Sequence, residues 1–215
     1  MTTVNQNHSK PACRGLYAIT DPYLLPDDRL LAAVEQAIVG GARLIQYRDK
    51  STDAARRLAQ ASALNTLCQG HRIPLIINDD IELAAHSGAA GVHLGKDDAT
   101  LAKARARLGT QAIIGASCYD RLDLARAAAR AGADYVAFGA VFPSLTKPTE
   151  IRAPIALLRQ ARAALDIPIV AIGGITPENA PLLLDLGADA LAVISAVFDQ
   201  PDIQAAARRF ASLFA

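Results

Sequence analysis

Four times along this chain a helix-like stretch ends in Gly-Ala and the following residues turn apolar: GGARLIQYR (40–48), SGAAGVHLG (87–95), AGADYVAFG (131–139) and LGADALAVI (186–194). Glycine takes the left-handed conformation that closes a helix, and the small alanine lets a strand begin close by. The four copies mark every second one of eight β-branched runs. These are GLYAIT (15–20), RLIQYR (43–48), PLIIND (74–79), GVHLG (91–95), AIIGAS (112–117), DYVAFGAV (134–141), IPIVAIGG (167–174) and ALAVIS (190–195). The third and seventh runs are entered through Ile-Pro instead. Helical patterns lie between the runs. In DDRLLAAVEQAIVGG, Asp27 or Asp28 is the candidate N-cap and Gly40 the stop. In TPENAPLLLDLGA, Thr176 reads as the N-cap and Pro177 as the first helical residue.

Run starts recur about every 25 residues, the length of one βα unit, and eight units in about 200 residues reach the lower limit of a (β/α)8 barrel. The competing α/β fold, an open doubly wound sheet, would show fewer strands and a Gly-x-Gly-x-x-Gly turn after the first strand. Here that turn is ITDPYLLPDD. No Pro/Gly/Ser linker or shift of composition divides the chain. The expected fold is therefore α/β, a single TIM barrel over residues 14–215, preceded by a flexible tail over 1–13.

Composition narrows the function. A net charge of +1 gives no support to a general nucleic-acid or membrane-surface binder, and the absence of Trp with only 5% aromatics leaves few stacking platforms for single strands. No run of 18 apolar residues is present to span a membrane. Cys13, Cys68 and Cys118 are far apart and form no zinc spacing, and so sparse a set suits a reducing cytoplasm. The expected partners are small molecules, not nucleic acid or membrane, and assembly into a homo-oligomer is compatible with all of this.

Barrel active sites sit at the C-terminal ends of the strands, and this chain loads polarity onto those ends. The second run finishes in Gln46, Arg48 and Lys50, at every second position and so on one face. The third finishes in Asn78, Asp79 and Asp80, and the fourth in His93 and Lys96 with Asp97 and Asp98 behind them. The fifth ends in Ser117, and the sixth runs into FPSLTKPTE with Ser144, Thr146 and Lys147. Asp79 and Asp98 follow adjacent strands. They are either helix caps or, beside the cations, a pair of hard oxygen ligands for Mg²⁺. Arg48, Lys50 and Lys147 are either solvated surface cations or a seat for phosphates. Gly173 and Gly174 expose backbone N–H groups ahead of a helix start, which makes either a tight turn or an anion seat to which Ile194 and Ser195 add. His93 is either a general base or a barrel-lining residue making one hydrogen bond. Cys118 has no activating partner and reads as packing. Much charge stabilisation and little acid–base machinery suit the release of a charged leaving group such as a metal diphosphate.

The ordered set LYAITD, QYRDK, IINDD, GVHLGKDD, IGAS, FPSLTK, AIGGI and VISA resembles the thiamine phosphate synthase family over residues 14 to 212. The resemblance implies a transferase that joins 4-amino-2-methyl-5-hydroxymethylpyrimidine diphosphate to a thiazole phosphate. Diphosphate leaves first and the thiazole nitrogen attacks the pyrimidine methylene cation. It implies that Gln46, Arg48, Lys50, Asn78, Ser117 and Lys147 hold the pyrimidine diphosphate, with Arg48, Lys50, Lys147 and Ser117 catalytic. Asp79 and Asp98 would ligate one Mg²⁺. Ser144, Leu145, Thr146, Gly173, Gly174, Ile194 and Ser195 would hold the thiazole phosphate. The family often has Gln where Lys96 stands and Glu where Asp49 and Asp97 stand, and its Thr-x-Thr-Lys is here Ser144-Leu145-Thr146-Lys147. Two rival readings are a thiazole tautomerase of the same barrel and a non-catalytic phosphate-ligand sensor. The tautomerase needs a His just after the fifth strand, where this chain has Ser117-Cys118-Tyr119; the sensor has no need of a metal pair.

Overall fold

Each of the eight β-branched runs forms a parallel strand. The computed structural model describes residues 13–95, 101–143 and 152–215. The strands are β1 (Gly15–Ile19), β2 (Ala42–Tyr47), β3 (Leu75–Asn78), β4 (Gly91–Leu94), β5 (Ile113–Tyr119), β6 (Tyr135–Gly139), β7 (Ile169–Ile172) and β8 (Ala190–Val193). They pair in sequence order and β8 returns to β1, giving the closed barrel that the rhythm implies. A helix follows every strand: α1 (Asp27–Val39), α2 (Ala54–Gly70), α3 (Ile81–Ser87), α4 (Leu101–Leu108), α5 (Leu122–Arg130), α6 (Ala156–Ala164), α7 (Ala180–Asp185) and, after β8, α8 (Ser195–Phe198). A longer helix, α9 (Ile203–Ala211), then closes the ring.

Strand alternation sorts the core into two layers. Leu75 and Ile77 face the helices while Ile76 faces the barrel axis, and likewise Val136 and Phe138 face out while Tyr135 and Ala137 face in. Cys13, expected in the loose tail, is 4% exposed and packs with Tyr17, Tyr135 and Ala190 inside the barrel. The other residues of that tail, 1–12, lie outside the described residues.

The Gly-Ala copies behave as the sequence suggests: Gly41, Gly88, Gly132 and Gly187 have φ of 107°, 69°, 86° and 99°. In the last two copies the next residue is Asp, and it ties the preceding strand down. Asp134 Oδ2 accepts from the Ile114 N–H (2.8 Å) and from Arg105 (2.7 Å). Asp189 Oδ2 accepts from the Ile169 N–H (2.8 Å) and from Arg162 (2.8 Å). Arg105 and Arg162 also donate to the backbone carbonyls of Ala112 and Leu165 respectively, so each brace joins a helix, a loop and two strands.

Two helix starts differ from expectation. The N-cap of α1 is Pro26, with Asp27 and Asp28 inside the first turn; the proline's φ of −61° already suits the entry. Thr176 does not cap a helix. Its N–H is taken by Asn179 Oδ1 (2.9 Å), whose amide donates to Gly174 O (3.0 Å), and α7 starts only at Ala180. The asparagine side chain fastens the loop to itself and delays the helix.

Candidate active site

At the C-terminal mouth of the barrel, Gln46, Arg48, Asn78, Ser117 and Ile194 line one cavity of about 100 Å³ with Tyr17 and His93 behind them. β2, β3, β5 and β8 thus deliver to one place the residues read from their ends. Val170, Ile172 and Ala192 give it an apolar side, and Asp21 adds a carboxylate beside Arg48. Gln46 is 3% exposed and its amide donates to Tyr17 Oη at 2.7 Å. Arg48 is anchored twice: its N–H donates to Thr20 Oγ1 (3.0 Å), and its guanidinium lies 3.6 Å from Asp21 Oδ2.

Lys50 departs from the one-face expectation. β2 ends at Tyr47, so strict alternation stops before it, and its ammonium turns to Asp79 Oδ2 at 3.2 Å. It lines a second, more open cavity of about 450 Å³ with Asp49, Asn78, Asp79 and Asp80. Asn78 is common to both cavities. Asp79 has a φ of 65°, its N–H donates to His93 O (2.8 Å), and its carboxylate accepts from the Asn78 amide (2.7 Å). Asp80 caps α3, accepting from the Leu83 N–H at 2.8 Å. The cap reading therefore holds for Asp80 and fails for Asp79, which faces the cations. Burial works to raise the Asp49 carboxyl, but hydrogen bonds from Ser51 and the charges of Arg56 and Arg57 outweigh it and leave the group below its ordinary value.

The sequence reading missed Arg57 and Lys103 in this second cavity. They come from α2 and α4, not from strand ends; the available signal was a cation on the first turn of a helix that begins at the rim. Arg57 pairs with Asp80 (3.0 Å), while its buried Nε has no hydrogen-bond partner among the described residues. Also missed were Tyr17 and Tyr135, whose hydroxyls meet at 2.9 Å inside the barrel. His93 is barrel-lining as one reading had it, but it makes two hydrogen bonds there, to Tyr135 Oη (2.9 Å) and to Ser117 Oγ (2.8 Å). Cys118 is packing: it is buried, and burial pushes its thiol up to about 12.

Gly173 and Gly174 close β7 at φ of 103° and 61°, and Ser195 is the first residue of α8, in which the Val197 and Phe198 N–H groups donate to Ile194 O. Asp98, Ser144, Leu145, Thr146 and Lys147 lie outside the described residues. Among the described residues no three His, Cys, Asp or Glu side chains gather to hold a metal unaided. Asp79 still fits a hard cation: it offers carboxylate oxygen at a cavity rimmed by further carboxylates, and Mg²⁺ habitually takes one or two carboxylates and completes its shell with phosphate and water.

A closed barrel with a polar mouth beside a cavity of mixed cations and carboxylates is the frame of a barrel with a small-molecule site at its C-terminal rim. Comparison with known proteins narrows this. A family model described as thiamine monophosphate synthase (TMP-TENI) matches residues 16–197, and the chain belongs to that family. It is 56% identical over 202 residues to the thiamine-phosphate synthase of Thiobacillus denitrificans, covering 94% of this chain and 95% of that one. It is 57% identical over 201 residues to the thiamine-phosphate synthase of Nitrosococcus oceani, covering 94% and 93%. Among solved structures, the thiamine phosphate pyrophosphorylase of Pyrococcus furiosus superimposes with a TM-score of 0.84 at 34% identity, covering 93% of this chain and 95% of that one.

Proposed function

We propose that this protein is a thiamine phosphate synthase, a transferase that joins the pyrimidine diphosphate to the thiazole phosphate and releases diphosphate. One observation carries the reading: relatives of that name share more than half of its residues along nearly the whole chain. In this reading the barrel mouth takes the pyrimidine ring against Gln46, Asn78 and Ser117. Its diphosphate extends over Asn78 into the second cavity, towards Lys50 and Arg57, with Lys147 added from its loop. Arg48, in the wall of the mouth, would meet the negative charge that grows as the bond to diphosphate breaks. Donors already held in place cost no reorganisation at that moment, and this is the main catalytic effect. The apolar wall keeps water from the cation left behind. The thiazole phosphate sits against Gly173, Gly174, Ile194 and Ser195; the family resemblance assigns Ser144, Leu145 and Thr146 to the same ligand.

Asp79, with Asp98, would hold Mg²⁺, which neutralises a departing diphosphate. The partly exposed carboxylate, oriented by the Asn78 amide, supports that role, and Lys50 would give up its contact with it to the diphosphate. A cytoplasmic location is proposed on the three free thiols, all buried; no helix among the described residues is long and apolar enough to cross a membrane.

The test is diphosphate release by the purified protein supplied with both substrates, with Mg²⁺ and with EDTA. Thiamine phosphate and diphosphate in equal amounts, formed only with both substrates and metal, are expected. Tight thiazole-phosphate binding without product would overturn the assignment.

A further inference from the structure

Behind the mouth runs an unbroken line of hydrogen bonds. Gln46 Nε2 meets Tyr17 Oη at 2.7 Å, Tyr17 Oη meets Tyr135 Oη at 2.9 Å, Tyr135 Oη meets His93 Nδ1 at 2.9 Å, and His93 Nε2 meets Ser117 Oγ at 2.8 Å. With the Gln46 amide turned as it stands, its nitrogen towards Tyr17, counting hydrogens gives the direction. An amide nitrogen only donates, so Tyr17 accepts from Gln46. Burial keeps both phenols protonated. The Tyr17 hydrogen has Tyr135 as its acceptor, and Tyr135 in turn gives its own hydrogen to Nδ1. An imidazole accepting at Nδ1 carries its hydrogen on Nε2 and donates it to Ser117. The Ser117 hydrogen is then turned out into the cavity. At the other end, Gln46 spends one of its two amino hydrogens on Tyr17, and its carbonyl oxygen is the acceptor it offers.

The barrel makes room for this line. A Cβ at Gly115 would lie 2.0 Å from Tyr135 Cζ and 2.4 Å from its hydroxyl, so β5 is bare where the phenol crosses. Tyr135 also stacks on the His93 ring at 5.5 Å and meets Tyr17 edge-on at 6.0 Å, which leaves neither phenol free to swing.

We propose that Tyr17, Tyr135 and His93 are positioning residues that set the hydrogen-bonding sense of the cavity: acceptor at Gln46, donor at Ser117. The site then selects a ring with a donor group at the first edge and an acceptor at the second. A turned Gln46 amide would reverse every hydrogen along the line and present the opposite pattern, so the two walls cannot be altered independently. Only the kinetic arm of the test rests on the activity proposed above.

The experiment is nitrogen NMR of the histidine rings in the ¹⁵N-labelled full chain without ligand, His93 being identified by the signals lost in His93→Gln. The wild type is expected to show Nδ1 bare and Nε2 protonated. Tyr135→Phe removes the donor to Nδ1, so both tautomers should appear, and kcat should fall about tenfold, as for a buried partner left unpaired, with little change in KM. Tyr17→Phe should leave the His93 tautomer alone, because the Tyr135 hydrogen still has Nδ1 as its acceptor; this asymmetry is not expected of residues that merely fill space. A hydrogen on Nδ1 in the wild type would overturn the proposal. So would an unchanged tautomer in Tyr135→Phe, or an equal change in Tyr17→Phe. The wild-type reading needs no turnover, and through-bond correlation to the backbone assigns the His93 signals without a variant, so a misfolded mutant or an inactive enzyme does not remove the test.

Discussion

Arg48 is held at its backbone by Thr20 and at its head by Asp21, which is 6% exposed. A guanidinium so fixed is a ready donor for an anion, and Lys, with one mobile charge, does not replace its fork. Arg48→Ala is expected to lower kcat by about 10²-fold or more, as for removal of one charge-stabilising donor; steady-state kinetics with saturating Mg²⁺ checks it. Asp79→Asn should cut turnover steeply and move half-saturation by Mg²⁺ to higher concentration, which a metal titration of the rate reads directly. Gln46, Arg48, Asn78 and Ser117 were legible as one site because they end strands that a barrel must aim at the same rim. Lys50 was legible as a cation but not in its direction, since it lies past the end of its strand. The Tyr17–Tyr135–His93 contacts were not legible at all. Their partners are brought together by the layers of a closed sheet, and no local spacing records which layer a side chain occupies.

The strands were readable because two signals coincide in each: a β-branched run, and a helix stop or Ile-Pro just before it. Helix starts were read less well, because a cap is decided by one side chain's choice of partner. At Thr176 the expected cap is absent: the Asn179 side chain ties the Thr176 N–H to the Gly174 carbonyl, and the helix starts only at Ala180. The two Asp braces were visible only as Gly-Ala-Asp, a pattern that does not say what the carboxylate will hold. Each now explains how a strand start is fixed between a helix and the next loop. Asp134→Ala strands the Ile114 N–H and Arg105, and should cost about 2 kcal/mol, the range for a charged hydrogen bond. Asp189→Ala should cost a similar amount, and with no shared partners the two losses should add. Urea unfolding reads both as lower midpoints at unchanged slope.

Three thiols sit in separate parts of the core, Cys13 inside the barrel and Cys68 and Cys118 outside it, and burial raises each to about 12. In the unfolded chain they ionise near 8.5. Above that pH the unfolded state has lost protons that the folded state keeps, so stability is full below about 8.5 and falls as pH rises towards 12. The urea midpoint should drop between pH 8 and pH 11, and Cys68→Ala should flatten the fall. The whole-molecule shape was the most legible feature, since eight units with no linker leave the chain little else to become. Its closure has a consequence in time. Gly15 pairs with Ala190 and donates its N–H to Asp189 O. A ribosome makes on the order of 5–20 residues each second, so the first strand leaves it roughly ten seconds or more before its last neighbour exists. Through that interval one flank of β1 is an open edge, able to pair with a strand of another nascent chain. The cell must guard that edge until synthesis is almost finished, and the final act of folding is the meeting of the oldest strand with the youngest.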